Sequence, residues 1–126
     1  MRETIAIVDD SDIALDWAKS TLEAVGFQVH THNRALGIQN FLRNVKPHVL
    51  LLDVKMPALQ GDMVCNMLKK KEDIKDIKIY LYSSIEPGEF EKLCQQCGAD
   101  GFIVKSDNPS LLQEAVSRAI LQIKTG

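Results

Sequence analysis

Three acids, a lysine and two hydroxyls carry the chemistry available to this chain. Asp9 and Asp10 follow the apolar run Ile5 to Val8, Asp53 follows Val49 to Leu52, Ser83 and Ser84 follow Ile79 to Tyr82, and Lys105 follows Phe102 to Val104. Carboxylates brought together repel one another unless a positive charge sits among them. An all-oxygen donor set without His or Cys suits a hard cation. Mg²⁺ is the natural choice, because it accepts few protein ligands and keeps waters for a phosphate oxygen. With the Lys105 ammonium and the Ser83 hydroxyl added, such a set could hold a phosphoryl group.

For these residues to meet, the segments before them must lie side by side. The first strand is expected over Thr4 to Val8, then a helix from about Asp12 to Val25 with Ala14, Leu15, Ala18, Leu22 and Val25 at helical spacing, ended by Gly26. Phe27 to Thr31 reads as a second strand. Leu36, Ile38, Phe41, Leu42 and Val45 suggest a second helix that stops before Pro47. The unbroken aliphatic run Val49 to Leu52 suits a strand covered on both faces. A third helix is expected from the loop containing Pro57 and Gly61 to about Lys71. Ile79 to Tyr82 gives a fourth strand, Pro87 to Cys97 a fourth helix, and Phe102 to Val104 a fifth strand. Asn108 can cap a last helix with Pro109 at its first position.

Five strands alternating with five helices predict an α/β fold, a doubly wound five-stranded parallel sheet flanked by helices. In the order 2-1-3-4-5, strands one and three flank the switch point beyond their carboxyl ends, where such folds bind ligands. All the reactive residues fall on that edge. The chain, residues 1–126, is expected to form a single domain with no output domain visible. A net charge of −2 with 25% charged residues gives no electrostatic footprint for nucleic acid. The short apolar runs and the absence of a secretory signal argue for a cytoplasmic protein without a membrane span. Three cysteines, an odd number, argue against a disulfide framework.

Taken in order, V-D-D-S at 8–11, L-L-D-V-K-M-P at 51–57 with Gly61 beyond, Y-S-S at 82–84 and G-A-D-G-F-I-V-K at 98–105 resemble the response-regulator receiver domains of two-component signalling, with their flavodoxin-like fold. The resemblance covers essentially the whole chain. It implies that Asp53 accepts a phosphoryl group from a phosphohistidine of a histidine kinase or histidine phosphotransfer protein. Asp9, Asp10, Asp53 and the backbone carbonyl of Lys55 would hold Mg²⁺, and Lys105 would pair with the phosphoryl oxygens. Ser83 would move onto the phosphoryl group and Phe102 would answer by rotating inward, changing the face made by helix four, strand five and helix five for an unknown downstream protein. Lys55 and Ile85 stand two past the acceptor and the hydroxyl, where they flank the path of hydrolytic water. Trp17 and Ala14 lie where related receivers dock on the phosphodonor.

Two departures stand out. Ser106 replaces the proline that usually follows the lysine, so a cis-peptide constraint is expected to be lost or offset by surrounding contacts. Phe102 lacks the hydroxyl of the commoner tyrosine, which favours an inward ring before phosphorylation.

Simpler readings apply elsewhere. Cys94 and Cys97 read as packing residues on a helix, because a helix end disfavours a thiolate. His30 and His32 read as solvated on an edge strand, and Lys69 to Lys71 as a solvated helix end. A haloacid-dehalogenase-type phosphatase would need a second acid at position 55, where this chain has Lys55. A flavin carrier would need a phosphate loop in place of D-D-S-D at 9–12. A non-phosphorylated receiver-fold adaptor is the remaining alternative; the presence of every reacting position favours the phosphoryl switch.

Overall fold

The computed structural model describes residues 3–34, 36–54, 61–74, 76–84 and 87–125. Its elements follow the expected alternation: β1 (Thr4–Val8), α1 (Asp12–Glu23), β2 (Gln28–His32), α2 (Ile38–Val45), β3 (Val49–Asp53), α3 (Gly61–Lys69), β4 (Lys78–Ser83), α4 (Pro87–Cys97), β5 (Gly101–Val104) and α5 (Pro109–Thr125). The strands form one parallel sheet in the order β2-β1-β3-β4-β5.

Side chains alternate across a strand, so each aliphatic run feeds two cores. Ile5, Ile7, Val49 and Leu51 pack with Leu15, Ala18 and Leu22 of α1 and with Leu112, Val116 and Ala119 of α5. Ala6, Val8, Leu50 and Leu52 pack on the other face with Leu42 of α2, Val64 and Leu68 of α3, and Cys97 of α4. Every residue of β3 is buried, as its position inside a sheet covered on both sides requires. Among the described residues no helix is long and apolar enough to cross a membrane.

Several boundaries differ from the expected ones. α1 ends at Glu23, and Val25, placed on its apolar stripe by spacing, is 50% exposed beyond the helix. Gly37 adopts a left-handed φ of 81° at the start of α2, leaving Leu36 in the preceding turn and 75% exposed. α3 stops at Lys69, with Lys70 and Lys71 in a tightened turn after it. The start of α5 is as expected, with the Ser110 N–H donating to Asn108 Oδ1 at 3.0 Å.

Gly101 opens β5 because nothing larger fits. A Cβ there would lie 2.7 Å from Tyr80 Cε2 and 3.0 Å from Cδ2, and the Tyr80 hydroxyl is tethered by donating to Gln122 Oε1 at 3.1 Å. Gly101→Ala should therefore destabilise the fold by about 1–3 kcal/mol, as overpacking typically does, with partial recovery when combined with Tyr80→Leu. An unchanged urea midpoint in the single variant would contradict the packing argument.

Candidate functional site

Asp9 is the anchor of the site. It lies one residue past β1, only 1% exposed, with its N–H donating to the His32 carbonyl at 3.2 Å. Its Oδ1 accepts from the Ser11 N–H at 3.0 Å, and its Oδ2 accepts from Lys105 Nζ at 2.6 Å. Ser11, not an acid, caps α1 by accepting from the Ala14 N–H at 3.2 Å. The acids are thus left for another use. Asp53 ends β3 at 4% exposure, while Asp10 faces solvent. Carboxylate oxygens from Asp9, Asp10 and Asp53 lie within 4.8 Å of one another. That is an all-oxygen donor set open on one side, and its chemistry fits a hard divalent cation that keeps water ligands.

Lys105 follows β5 and comes from the far end of the sequence. Its N–H donates to the Ser83 carbonyl at 2.8 Å, which fixes the start of its side chain at the same sheet edge. Its ammonium lies 3.9 Å from Asp53 Oδ2 as well as on Asp9, and 5.2 Å from the centre of the Tyr82 ring. Ser83 is buried at the end of β4, and Tyr82 before it stands in register with Asp53. Burial first, then the charges of Asp9 and Asp53, push the Tyr82 phenol up to about 12. Tyr82 is the neighbour that sequence reasoning missed. Its only signal was an aromatic residue directly before the strand-end serine.

The expected inward Phe102 is corrected by the structure. The ring is 36% exposed, because β5 is an edge strand from which Ile103 enters the core against α5 while Phe102 and Val104 stay outside the main clusters. At the altered proline position, the Lys105–Ser106 peptide is not cis, no described residue being so. Ser106 Oγ accepts from the Asn108 N–H at 3.1 Å, a contact that shapes the loop without a proline.

Trp17 and Ala14 line a groove of about 430 Å³ with Ile13, Tyr82, Lys105 and Asp107. The indole is half-buried and packs against the α1 and α5 core. Lys55 and Ile85 lie outside the described residues.

Of the residues given simpler readings, Cys65 and Cys97 are buried and Cys94 is half-buried, all as free thiols. Burial pushes Cys65 up, and Cys94 up to about 11, so neither thiol is activated. The solvated reading of His32 is corrected: its ring stacks on Phe41 with centroids 4.9 Å apart, and Nε2 lies 2.8 Å from the Leu36 carbonyl. Lys69 is also corrected. It reaches Asp100 Oδ2 at 2.6 Å, the oxygen that accepts the Ile79 N–H at 2.8 Å, and so ties α3 to the starts of β4 and β5 at the edge opposite the site.

Comparison with known proteins places these features. The family model of the response regulator receiver domain matches residues 5–117. A cyclic di-GMP phosphodiesterase of Thermotoga maritima is 30% identical over 117 residues, 93% of this chain and 31% of that protein. The leading curated relatives are spanned by this chain over 31% to 48% of their length. The chemotaxis response regulator CheY4 of Vibrio cholerae superposes with a TM-score of 0.85 at 23% identity, over 94% of this chain and 98% of that one. A CheY-like receiver domain protein of Methanospirillum hungatei gives 0.82 at 27% identity over 100% of both chains. Receiver domains are signalling switches, generally not turnover enzymes. On the match to residues 5–117, this chain belongs to the response-regulator receiver-domain family of two-component systems.

Proposed function

We propose that this chain is a phosphoryl-accepting switch that takes a phosphoryl group onto Asp53 from the phosphohistidine of a histidine kinase or histidine phosphotransfer protein, in the cytoplasm. The observation that carries this reading is the convergence of three carboxylates within 4.8 Å beside one lysine ammonium. An Asp53 oxygen attacks phosphorus, the bond from phosphorus to the donor nitrogen breaks, and the imidazole leaves with its electron pair. Asp9, Asp10, Asp53 and the Lys55 carbonyl would hold Mg²⁺, which supplies charge neutralisation for the phosphoryl oxygens and the leaving group. Lys105 moves from Asp9 toward the new phosphoryl oxygens, and the Ser83 hydroxyl donates to one of them. Phe102 then turns inward, altering the face of α4, β5 and α5 that a downstream protein reads.

Lys55 and Ile85 would slow hydrolysis of the product, the first by lying over the water path and the second by offering no group to orient water. Trp17 is the only tryptophan in the chain and borders the site, so its fluorescence should report Mg²⁺ binding. Asp10→Asn should weaken that binding roughly tenfold or more through loss of one charged ligand; an unchanged affinity would contradict the ligand set. Trp17→Ala should slow phosphoryl transfer from the protein donor while sparing transfer from acetyl phosphate, since an aromatic anchor contributes to docking and not to chemistry. Equal slowing with both donors would contradict docking on Trp17.

A further inference from the structure

A lysine ammonium on four rotatable bonds has many places to go, and hydration draws it outward. Here it lies beside a groove open to solvent. Among the described residues, three contacts define its place: Asp9 at 2.6 Å, Asp53 at 3.9 Å and the Tyr82 ring at 5.2 Å from its centre. The first two are carboxylates that other tasks claim once the site is engaged. The ring is not, and it cannot drift, because Tyr82 is 3% exposed and packed in the core between the sheet and α1 and α5.

We propose that Tyr82 is a positioning residue for Lys105, its ring face keeping the ammonium at the site as it exchanges Asp9 for the phosphoryl group on Asp53. This rests on the phosphoacceptor reading and adds a part to it. The negative face of an aromatic ring attracts a cation within about 6 Å of its centroid, most effectively where water is excluded. It does so without offering an oxygen that would compete for metal or phosphoryl. An aliphatic residue of similar size would fill the same core space but give no such attraction. The phenolic oxygen contributes nothing to this role, and the group remains neutral at ordinary pH because burial holds its proton. Phenylalanine should therefore serve as well as tyrosine, and leucine should not.

The test is beryllofluoride binding to the full chain in saturating Mg²⁺, followed by ¹⁹F NMR. Tyr82→Phe should bind within about twofold of the parent, whereas Tyr82→Leu should bind roughly 3- to 30-fold more weakly, the range that a cation–ring contact supports. Mg²⁺ affinity, read separately from Trp17 fluorescence, should not fall in either variant. Equal binding by all three proteins, or equal losses in Phe and Leu variants, would overturn the proposal. A second readout needs no variant: the Lys105 side-chain methylene protons in the metal-free parent should be shifted upfield by the ring, and ordinary exposed-lysine positions would overturn it even if Tyr82→Leu failed to fold. Absence of beryllofluoride binding to the parent would instead sink the phosphoacceptor reading, while the ring shift would still decide where Lys105 sits.

Discussion

Asp53→Asn is expected to reduce acid-labile phosphate incorporation at least about a thousandfold, the scale of loss when a nucleophile is removed from a concerted site. The amide is nearly isosteric but carries no anionic oxygen to attack phosphorus. Folding should survive the change, because Asp53 and Asp9 are both buried at 4% and 1% exposure and lie together beside Lys105. Removing one of two like charges relieves repulsion. Stability in Mg²⁺-free buffer should thus equal or exceed that of the parent. Asp9 is poorly placed to substitute as nucleophile, since its two oxygens are engaged by the Ser11 N–H and Lys105. Intact-mass analysis and urea melts of the same samples separate loss of chemistry from loss of fold. Retained phosphate on Asp53→Asn would contradict the assignment.

Lys105→Met should have the opposite effect on the fold. It keeps most of the unbranched side chain but leaves the buried Asp9 carboxylate without its 2.6 Å partner and Asp53 without the nearby cation. Removing one member of a fully buried pair costs about 3–5 kcal/mol. Because the Lys105 side chain is 27% exposed, solvent screens part of the interaction and a loss of about 2–4 kcal/mol is expected. Added Mg²⁺ should recover more stability in the variant than in the parent, since binding to the folded state alone raises stability by mass action and the variant has one less cation to compete with. Combining Lys105→Met with Asp53→Asn should cost less than Lys105→Met alone, as coupled neighbours are not additive. A urea midpoint unchanged by Lys105→Met would mean that the pair contributes no more than a surface contact.

The sheet and the site edge were legible because both are written as contiguous runs. An aliphatic stretch such as Val49 to Leu52 that ends in Asp53 states burial and then chemistry within five residues, and four such runs on parallel strands can only end together. What periodicity could not supply was contact between residues distant in sequence. Leu36 has the spacing of the second helix, yet that helix begins only after the left-handed Gly37, which leaves Leu36 in the turn before it. His32 has the polarity of a solvated edge residue, but Phe41 from the following helix covers it. Lys69 looks like one of three surface lysines until Asp100 is brought to it. Tyr82 matched a plain strand residue, and only the arrival of Lys105 from another strand gives its ring a charge to hold. The outward Phe102 reflects the position of β5 at the sheet edge, which tertiary packing rather than residue type decides.

The most direct measurement of the central claim is intact-mass spectrometry of the parent chain after incubation with acetyl phosphate, with Mg²⁺ and with the metal chelated, followed by borohydride trapping and peptide mapping. The account predicts a gain of one phosphoryl group only in the presence of Mg²⁺, with the trapped acyl phosphate mapping to Asp53. No gain in mass under either condition, or a modification on a residue other than Asp53, would contradict it.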